Sequence, residues 1–199
     1  MMINYAAIIL AAGQSSRLGR AKQLLEWKGK SFVQHTFDVA ARFVPPDQII
    51  IVTGARQEQV EAHLSKHKLP FTHNPDWPEG MGSSIRTGTN VLLQAFPNIE
   101  AILIMVCDQV KIEPFDLQPL FEAHQANPEK AIVARYLNRV GVPVIFPKAW
   151  LAMLRELEGD RGARAILRNQ PDALYPVDLP KAAFDVDTEE DYRNLLGNA

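Results

Sequence analysis

The sequence predicts an α/β fold: one domain built on a mostly parallel sheet with helices packed over it. Two patterns carry this expectation. Short apolar, β-branched runs alternate with amphipathic stretches along the whole chain. The first run feeds directly into a turn that bears glycines, serines and cations, and ligands collect at such strand ends in parallel sheets.

The elements follow in order. Ala-Ala-Ile-Ile-Leu at 6–10 reads as a buried parallel strand. Amphipathic helices are expected at 31–43 and 57–66, flanking a strand of Gln-Ile-Ile-Ile-Val-Thr at 48–53. A turn-rich segment then opens a helix at 83–95, and Ala-Ile-Leu-Ile-Met-Val-Cys at 101–107 reads as the next strand. A helix at 117–126 and a strand at 131–136 follow. Fainter strand signals fall at 142–146, 173–177 and 183–185, with helices at 148–157, 163–168 and 189–196. The last helix opens on Thr188-Glu189-Glu190-Asp191, a capping-box pattern with Asp in its third position. No internal repeat, low-complexity tract or long linker interrupts the chain, so residues 1–199 are expected to form a single domain.

Composition narrows the function classes. A net charge of −2 and no local Lys/Arg cluster give no basic field for nucleic acid. The longest apolar runs are far too short to span a bilayer, and the first residues lack the order of a secretory signal. One cysteine allows no intramolecular disulfide. The expectation is a cytoplasmic enzyme or binding protein, with no nucleic acid and no membrane among its partners.

The stretch from Leu10 through Ala11, Ala12 and Gly13 to Lys22 holds the strongest chemical signal. Gly13 and Gly19 let the backbone turn tightly, Ser15 and Ser16 add hydroxyl donors, and Arg17 and Lys22 add positive charge. A strand ending in free N–H groups, serines and two cations suits a triphosphate. Five residues separate the glycines, so this is not the common ATPase loop, and no G-x-G-x-x-G occurs. A glycine–serine turn with solvated cations is the plain alternative.

Acidic groups stand at matching positions. Asp108 follows the 101–107 strand directly and suits a hard cation such as Mg2+; a turn-capping Asp is the alternative. Alternation places Asp185 and Asp187 on one side of an extended segment, where one of them is free to face Asp108 while another caps the final helix. The segment from Asn74 to Arg86 is a long, turn-rich loop that opens a helix. The free N–H groups at that start, with Gly80, Met81, Ser83 and Ser84 beside them, suit an anion or a heterocycle edge; an ordinary loop with a serine N-cap is the alternative. Arg161, Gly162 and Arg164 form a further cation-bearing turn, with a capped helix and solvated arginines as the alternative. Gly141 reads as allowing close backbone approach at a strand opening. His63 and His67 lack the intervening Glu of a metalloprotease helix and read as a solvated face, Cys107 as an inert buried thiol, and Trp27, Trp77 and Trp150 as core or loop anchors.

Together these segments resemble the molybdenum cofactor nucleotidyltransferases, in particular the cytidylyltransferase branch. The pattern L-A-A-G-x-S-x-R-x-G-x-x-K corresponds to Leu10–Lys22, and N-P-x-x-x-x-G-M-x-S-S to Asn74–Ser84. G-x-P, G-D-x-G-A-R and D-x-D-T-x-E-D follow at 141–143, 159–164 and 185–191. One departure is Val110, where the family carries Pro. The resemblance implies a three-layer, Rossmann-like nucleotidyltransferase domain that moves a nucleoside monophosphate from CTP to the terminal phosphate of molybdopterin and releases pyrophosphate. It implies a triphosphate cradled by Leu10 to Gly13, Ser15, Ser16, Gly19 and Lys22, with Lys22, Arg17 and Asp108 as catalytic residues. It further implies Mg2+ on Asp108 with Asp185 or Asp187, and the pterin beside Gly80–Ser84 and Arg161–Arg164. The acceptor phosphate, with a second pKa of roughly 6, needs no general base. Relatives that use GTP carry a second glycine in the N-terminal motif, whereas this chain has Ala11-Ala12-Gly13, so within the family the resemblance points to CTP. Other expectations to weigh are GTP, a sugar-phosphate or methylerythritol-phosphate acceptor, or a non-catalytic carrier of the molybdenum cofactor; a molybdoenzyme would receive the product.

Overall fold

The computed structural model describes residues 3–159, 167 and 170–197. In chain order it holds β1 (Tyr5–Leu10), a small hairpin of β2 (Glu26–Trp27) and β3 (Lys30–Ser31), α1 (Phe32–Ala40), β4 (Ile49–Thr53), α2 (Gln57–Lys66), β5 (Phe71–His73) and α3 (Met81–Ala95). It continues with β6 (Ala101–Val106), α4 (Pro114–Ala126), β7 (Ala131–Tyr136), β8 (Arg139–Pro147), α5 (Leu151–Leu154), β9 (Leu174–Asp178) and α6 (Glu189–Gly197). Seven strands join in the order β5-β4-β1-β6-β8-β7-β9. Only β8 runs against the others, so the sheet is mostly parallel, as the alternation predicts.

Central β1 is buried along its full length, with Ile8 registered against Ile50 of β4 and Ile104 of β6. Its alternate side chains feed two cores. Ala7 and Ile9 pack with Val33 and Phe37 of α1, Val60 and Leu64 of α2 and Leu120 of α4. Ala6, Ile8 and Leu10 pack with Ile85 and Leu92 of α3 and Leu154 of α5. Each fully buried isoleucine contributes on the order of 1.5–3 kcal/mol. This is the three-layer arrangement, and it leaves the carboxyl ends of β1 and β6 side by side.

A third cluster decides where the C-terminal segment lies. Leu18 of the loop after β1, Trp27 of the hairpin, Val110, Val186 and Leu195 of α6 share one apolar patch. Burying Val186 there draws Asp185 and Asp187 to the end of β6, where the Val186 N–H donates to the Asp108 carbonyl at 3.2 Å.

Several expected elements differ. No strand forms at 183–185, because Pro180 starts a 3-10 turn over Pro180–Ala183, and beyond it the bond from the Val186 N–H to the Asp108 carbonyl at the sheet end is too little for a ladder. The helix expected at 148–157 shrinks to a 3-10 turn (Lys148–Trp150) followed by α5. The weak strand at 142–146 is the long, two-sided β8, entered through a turn in which Leu137 (φ 48°) and Asn138 (φ 57°) are both left-handed. Gly141 does allow a close approach, since a Cβ there would lie 2.6 Å from the Tyr136 hydroxyl. The hairpin and the three-residue β5 carry too little apolar pattern to be read in advance. The helix expected at 163–168 lies outside the described residues apart from Leu167, which packs in the α3-side core.

Candidate active site

A cavity of about 290 Å3 opens at the carboxyl ends of β1 and β6. Its walls are the loop after β1, Lys22, Asp108 and the start of α3, with Trp77 and Met81 between them. Leu10, Ala11, Ala12 and Gly13 line it from one side, and Gly80 and Ser84 from the other. Trp77, expected only as a loop anchor, is part of the wall. Among the described residues no helix is long and apolar enough to cross a membrane.

The loop owes its shape to two left-handed residues, Ser15 (φ 54°) and Gly19 (φ 69°). Between them the Ser15 carbonyl accepts from the N–H groups of Leu18 and Gly19, both at 3.1 Å. The Ser15 hydroxyl accepts from the Lys22 N–H at 3.2 Å, which turns the lysine back over the loop. Ser16 and Gly19 sit on this turn outside the cavity wall. Six consecutive backbone N–H groups, from Ala12 to Arg17, donate to no partner among the described residues. Unspent donors in a tight turn form an anion-binding concavity.

Lys22 reaches two carboxylates. Its ammonium pairs with Asp108 Oδ2 and lies 3.0 Å from Asp187 Oδ1, with only 15% of the side chain exposed. Burial works against its charge, but the Asp108 carboxylate outweighs burial and holds Lys22 well above the ordinary lysine range. Arg17 Nη2 bonds the other oxygen of Asp187 at 2.8 Å. Burial alone would raise Asp187, yet Lys22 and Arg17 together hold it below the ordinary carboxylate range. Asp185 goes the other way: burial and the charge of Asp108 raise it, and the Gln109 side chain opposes the shift only in part. Neither aspartate is needed to cap α6, since Thr188 and Asp191 cap it reciprocally, at 2.8 and 3.1 Å. Cys107 is fully buried and its thiol is pushed up to about 12, chiefly by burial, as expected of an inert thiol.

Among the described residues, no three acidic, histidine or cysteine side chains converge as a ready-made metal cage. Asp108, Asp185 and Asp187 are neighbours with Lys22 set between two of them, and this differs from a simple three-carboxylate site. Asp108 Oδ1 nonetheless is buried with no hydrogen-bond partner. A buried acceptor left without a donor fits a cation that takes its remaining ligands from phosphate oxygens.

The start of α3 is built from inside. Asn74 Nδ2 donates to the hydroxyls of Ser83 (2.8 Å) and Ser84 (3.0 Å). Ser83 is fully buried, and its hydroxyl lies 2.8 Å from the Gly80 carbonyl and 2.9 Å from that of Asp76, so it organises the loop and does not face the cavity. Gly80 adopts φ 117°, a conformation open to glycine, where the chain turns into the helix at the cavity wall. The Gly82 N–H donates to the Gly159 carbonyl at 3.2 Å, which seats the 158–159 turn on the helix start. Arg161, Gly162 and Arg164 lie outside the described residues.

Sequence reasoning missed Gln23 and Arg56. Gln23 is fully buried and donates to the carbonyls of Ala11 (2.7 Å) and Gly13 (2.8 Å). Arg56 donates to those of Gln14 (3.2 Å) and Gly19 (2.9 Å). His63, expected on a solvated face, instead bonds the Ser31 hydroxyl at 2.9 Å.

Residues 7–174 match the model of the MobA-like NTP transferase domain. Nicotine blue oxidoreductase of Paenarthrobacter nicotinovorans is 30% identical over 95% of both chains. Molybdenum cofactor cytidylyltransferase of Escherichia coli is 34% identical over 40% of this chain and 41% of that protein. Among solved structures, Rv0371c of Mycobacterium tuberculosis superposes with a TM-score of 0.80 at 30% identity, covering 99% of each chain. The same protein in complex with manganese gives 0.76 at 27% identity, covering 98% of this chain and 100% of that one.

Proposed function

The chain belongs to the MobA-like NTP transferase family, and from that premise we propose that it transfers CMP from CTP to the terminal phosphate of the molybdenum cofactor. The observation that carries the reading is the Lys22 ammonium held between Asp108 and Asp187 beside six unspent N–H groups. In the proposed reaction a terminal phosphate oxygen of the acceptor attacks the α-phosphorus of CTP. The bond from that phosphorus to the bridging oxygen breaks and pyrophosphate leaves. The N–H groups from Ala12 to Arg17 bind the triphosphate, and Lys22 and Arg17 offset charge on the transferring and leaving groups. The acceptor phosphate is mostly dianionic at neutral pH and needs no base.

Asp108, with Asp185 or Asp187, would hold a divalent cation such as Mg2+, whose chemistry there is to neutralise charge between phosphates. Two cations against three carboxylates leave the cluster one negative charge in excess, which favours that uptake. The manganese complex of the Mycobacterium tuberculosis protein supports a divalent ion. CTP is favoured by Ala11-Ala12-Gly13, which lines the cavity where relatives that use GTP carry a second glycine. Gly80, Met81 and Ser84, together with Arg161, Gly162 and Arg164 by the family resemblance, would take the pterin. A molybdoenzyme would then receive the product.

Pyrophosphate release with Mg2+, the molybdenum cofactor and each of CTP, GTP, ATP and UTP tests the reading. Release with CTP alone is expected. Release with GTP alone overturns the base choice, and release only with a sugar-phosphate or methylerythritol-phosphate acceptor overturns the acceptor. The full-length likeness to nicotine blue oxidoreductase favours a second reading, in which the cavity serves a redox reaction. No release with any pair, together with reduction of nicotine blue, would establish that reading.

A further inference from the structure

A loop that binds a polyanion through its N–H groups must also keep its carbonyl oxygens away from that anion. Each carbonyl carries partial negative charge, and a free one turned toward a triphosphate repels it. From Ala11 to Ser15 the carbonyls are occupied one after another. Ala12 O accepts from the Ala55 N–H at 3.0 Å, and Ser15 O from Leu18 and Gly19 within the turn. The carbonyls of Ala11, Gly13, Gln14 and Gly19 are held by just two side chains from outside the turn. Gln23 Nε2 binds Ala11 O and Gly13 O, and the Arg56 guanidinium binds Gln14 O and Gly19 O. All five carbonyls from Ala11 to Ser15 are therefore turned onto donors, while the six N–H groups from Ala12 to Arg17 are spent on no partner among the described residues.

The two side chains are themselves fixed for this task. Gln23 is fully buried at the residue after Lys22, so its amide has no competing water. Arg56 takes a left-handed backbone (φ 58°) at the start of α2, a conformation that costs a residue other than glycine about 1 kcal/mol. That turn sends the guanidinium back across the loop, where its planar fork reaches two carbonyls at once.

We propose that Gln23 and Arg56 are positioning residues for the triphosphate: they hold the loop carbonyls outward so that only N–H groups face the nucleotide. The inference rests on the nucleotidyltransferase reading and adds to it two residues that act through the loop backbone. Arg56 in this role acts through its fork and not through its charge, and that separates it from a cation that contacts phosphate directly.

The test is titration of the full-length protein with Mg·CTP and with Mg-tripolyphosphate, followed by steady-state kinetics. Arg56→Ala and Arg56→Lys should both weaken tripolyphosphate binding about tenfold, because a compact lysine ammonium lacks the planar fork whose separate Nε and Nη2 atoms reach the Gln14 and Gly19 carbonyls. Gln23→Glu should do the same by setting a carboxylate against two carbonyls. KM for CTP should rise while kcat at saturation and KM for the acceptor hold, and the two Arg56 variants should keep Tm. An Arg56→Lys protein that binds like wild type overturns the inference, since charge alone then suffices. Equal losses for both substrates overturn it too, since the role is then general stability. Should Gln23→Glu not fold, the two Arg56 variants decide the matter. Wild-type protein that binds neither probe overturns the nucleotidyltransferase reading itself, whereas wild-type binding with unaffected variants overturns only the inference.

Discussion

Lys22 seats its ammonium on Asp108 across 86 residues of sequence, at the point where β1 and β6 end together. The pair is only partly screened by water, with 15% and 16% of the two side chains exposed. It joins the cation of the nucleotide loop to the carboxylate that retains one buried, unpartnered oxygen.

Asp108→Asn should therefore abolish metal-dependent pyrophosphate release while leaving the fold intact, because Lys22 keeps Asp187 as a partner at 3.0 Å. Circular dichroism and turnover together check this, and unchanged turnover would remove Asp108 from the metal. Lys22→Ala should lower kcat by roughly 100- to 1,000-fold, with a smaller loss in nucleotide affinity. Equal losses in both would contradict a role concentrated in the transition state.

Asp191 makes a second prediction, through α6. One of its oxygens accepts from the N–H groups of Thr188 (2.8 Å) and Asp187 (3.1 Å) and from the Thr188 hydroxyl (2.7 Å). Asp191→Ala should cost about 1 kcal/mol of stability as a lost cap. It should also slow turnover severalfold, because the Asp187 backbone loses its tether while the carboxylate must stay on Lys22 and Arg17. Urea melts read the first effect and kcat the second. A variant that loses stability with full kcat would show that Asp187 needs no such tether.

The loop after β1, Asp108 and the elements Gln57–Lys66 and Ala131–Tyr136 were readable from the sequence because each is local: a turn composition, a strand end, a periodic pattern. Arg56 was not, because nothing near it in sequence shows that its side chain returns to Gly19, 37 residues earlier. Ser83 was misplaced for a related reason. The motif announces a serine at a helix start, but the turn at Gly80 and the reach of Asn74 decide that its hydroxyl faces inward. Strand order is likewise set by long-range packing, so β8 gave only a faint signal although it lies between β6 and β7.

Gly82 supports the acceptor side of the proposal and can be tested alone. A Cβ there would lie 2.7 Å from the Gly159 carbonyl, a backbone atom that cannot rotate away. Alanine gains about 1 kcal/mol in helix propensity, but the overlap outweighs it at about 1–3 kcal/mol. Gly82→Ala should push the 158–159 turn off α3, raising KM for the acceptor and leaving KM for the nucleotide near wild type. A rise in the nucleotide KM alone would move the acceptor away from this turn.

The remaining prediction concerns acid stability and lies far from the cavity. His124 is buried, its Nδ1 shares a hydrogen bond with the Tyr5 hydroxyl at 2.9 Å, and its Nε2 has no partner among the described residues. Burial lowers its pKa below the ordinary 6.5, since the charged ring is the costlier form to hold away from water. Below that value the unfolded chain takes up a proton that the folded chain refuses. The stability tied to neutral His124 is thus complete above pH 6.5 and falls as pH drops toward the folded value, by at most about 1.4 kcal/mol per pH unit. Tyr5 adds no slope in this window, because burial and the nearby Glu100 push its phenol up to about 12. His124→Phe should lower stability near neutral pH, where the Tyr5 hydroxyl loses its partner, yet flatten the acid slope. Urea midpoints at a series of pH values below neutrality decide it: a slope unchanged in the variant would assign the acid sensitivity to other groups.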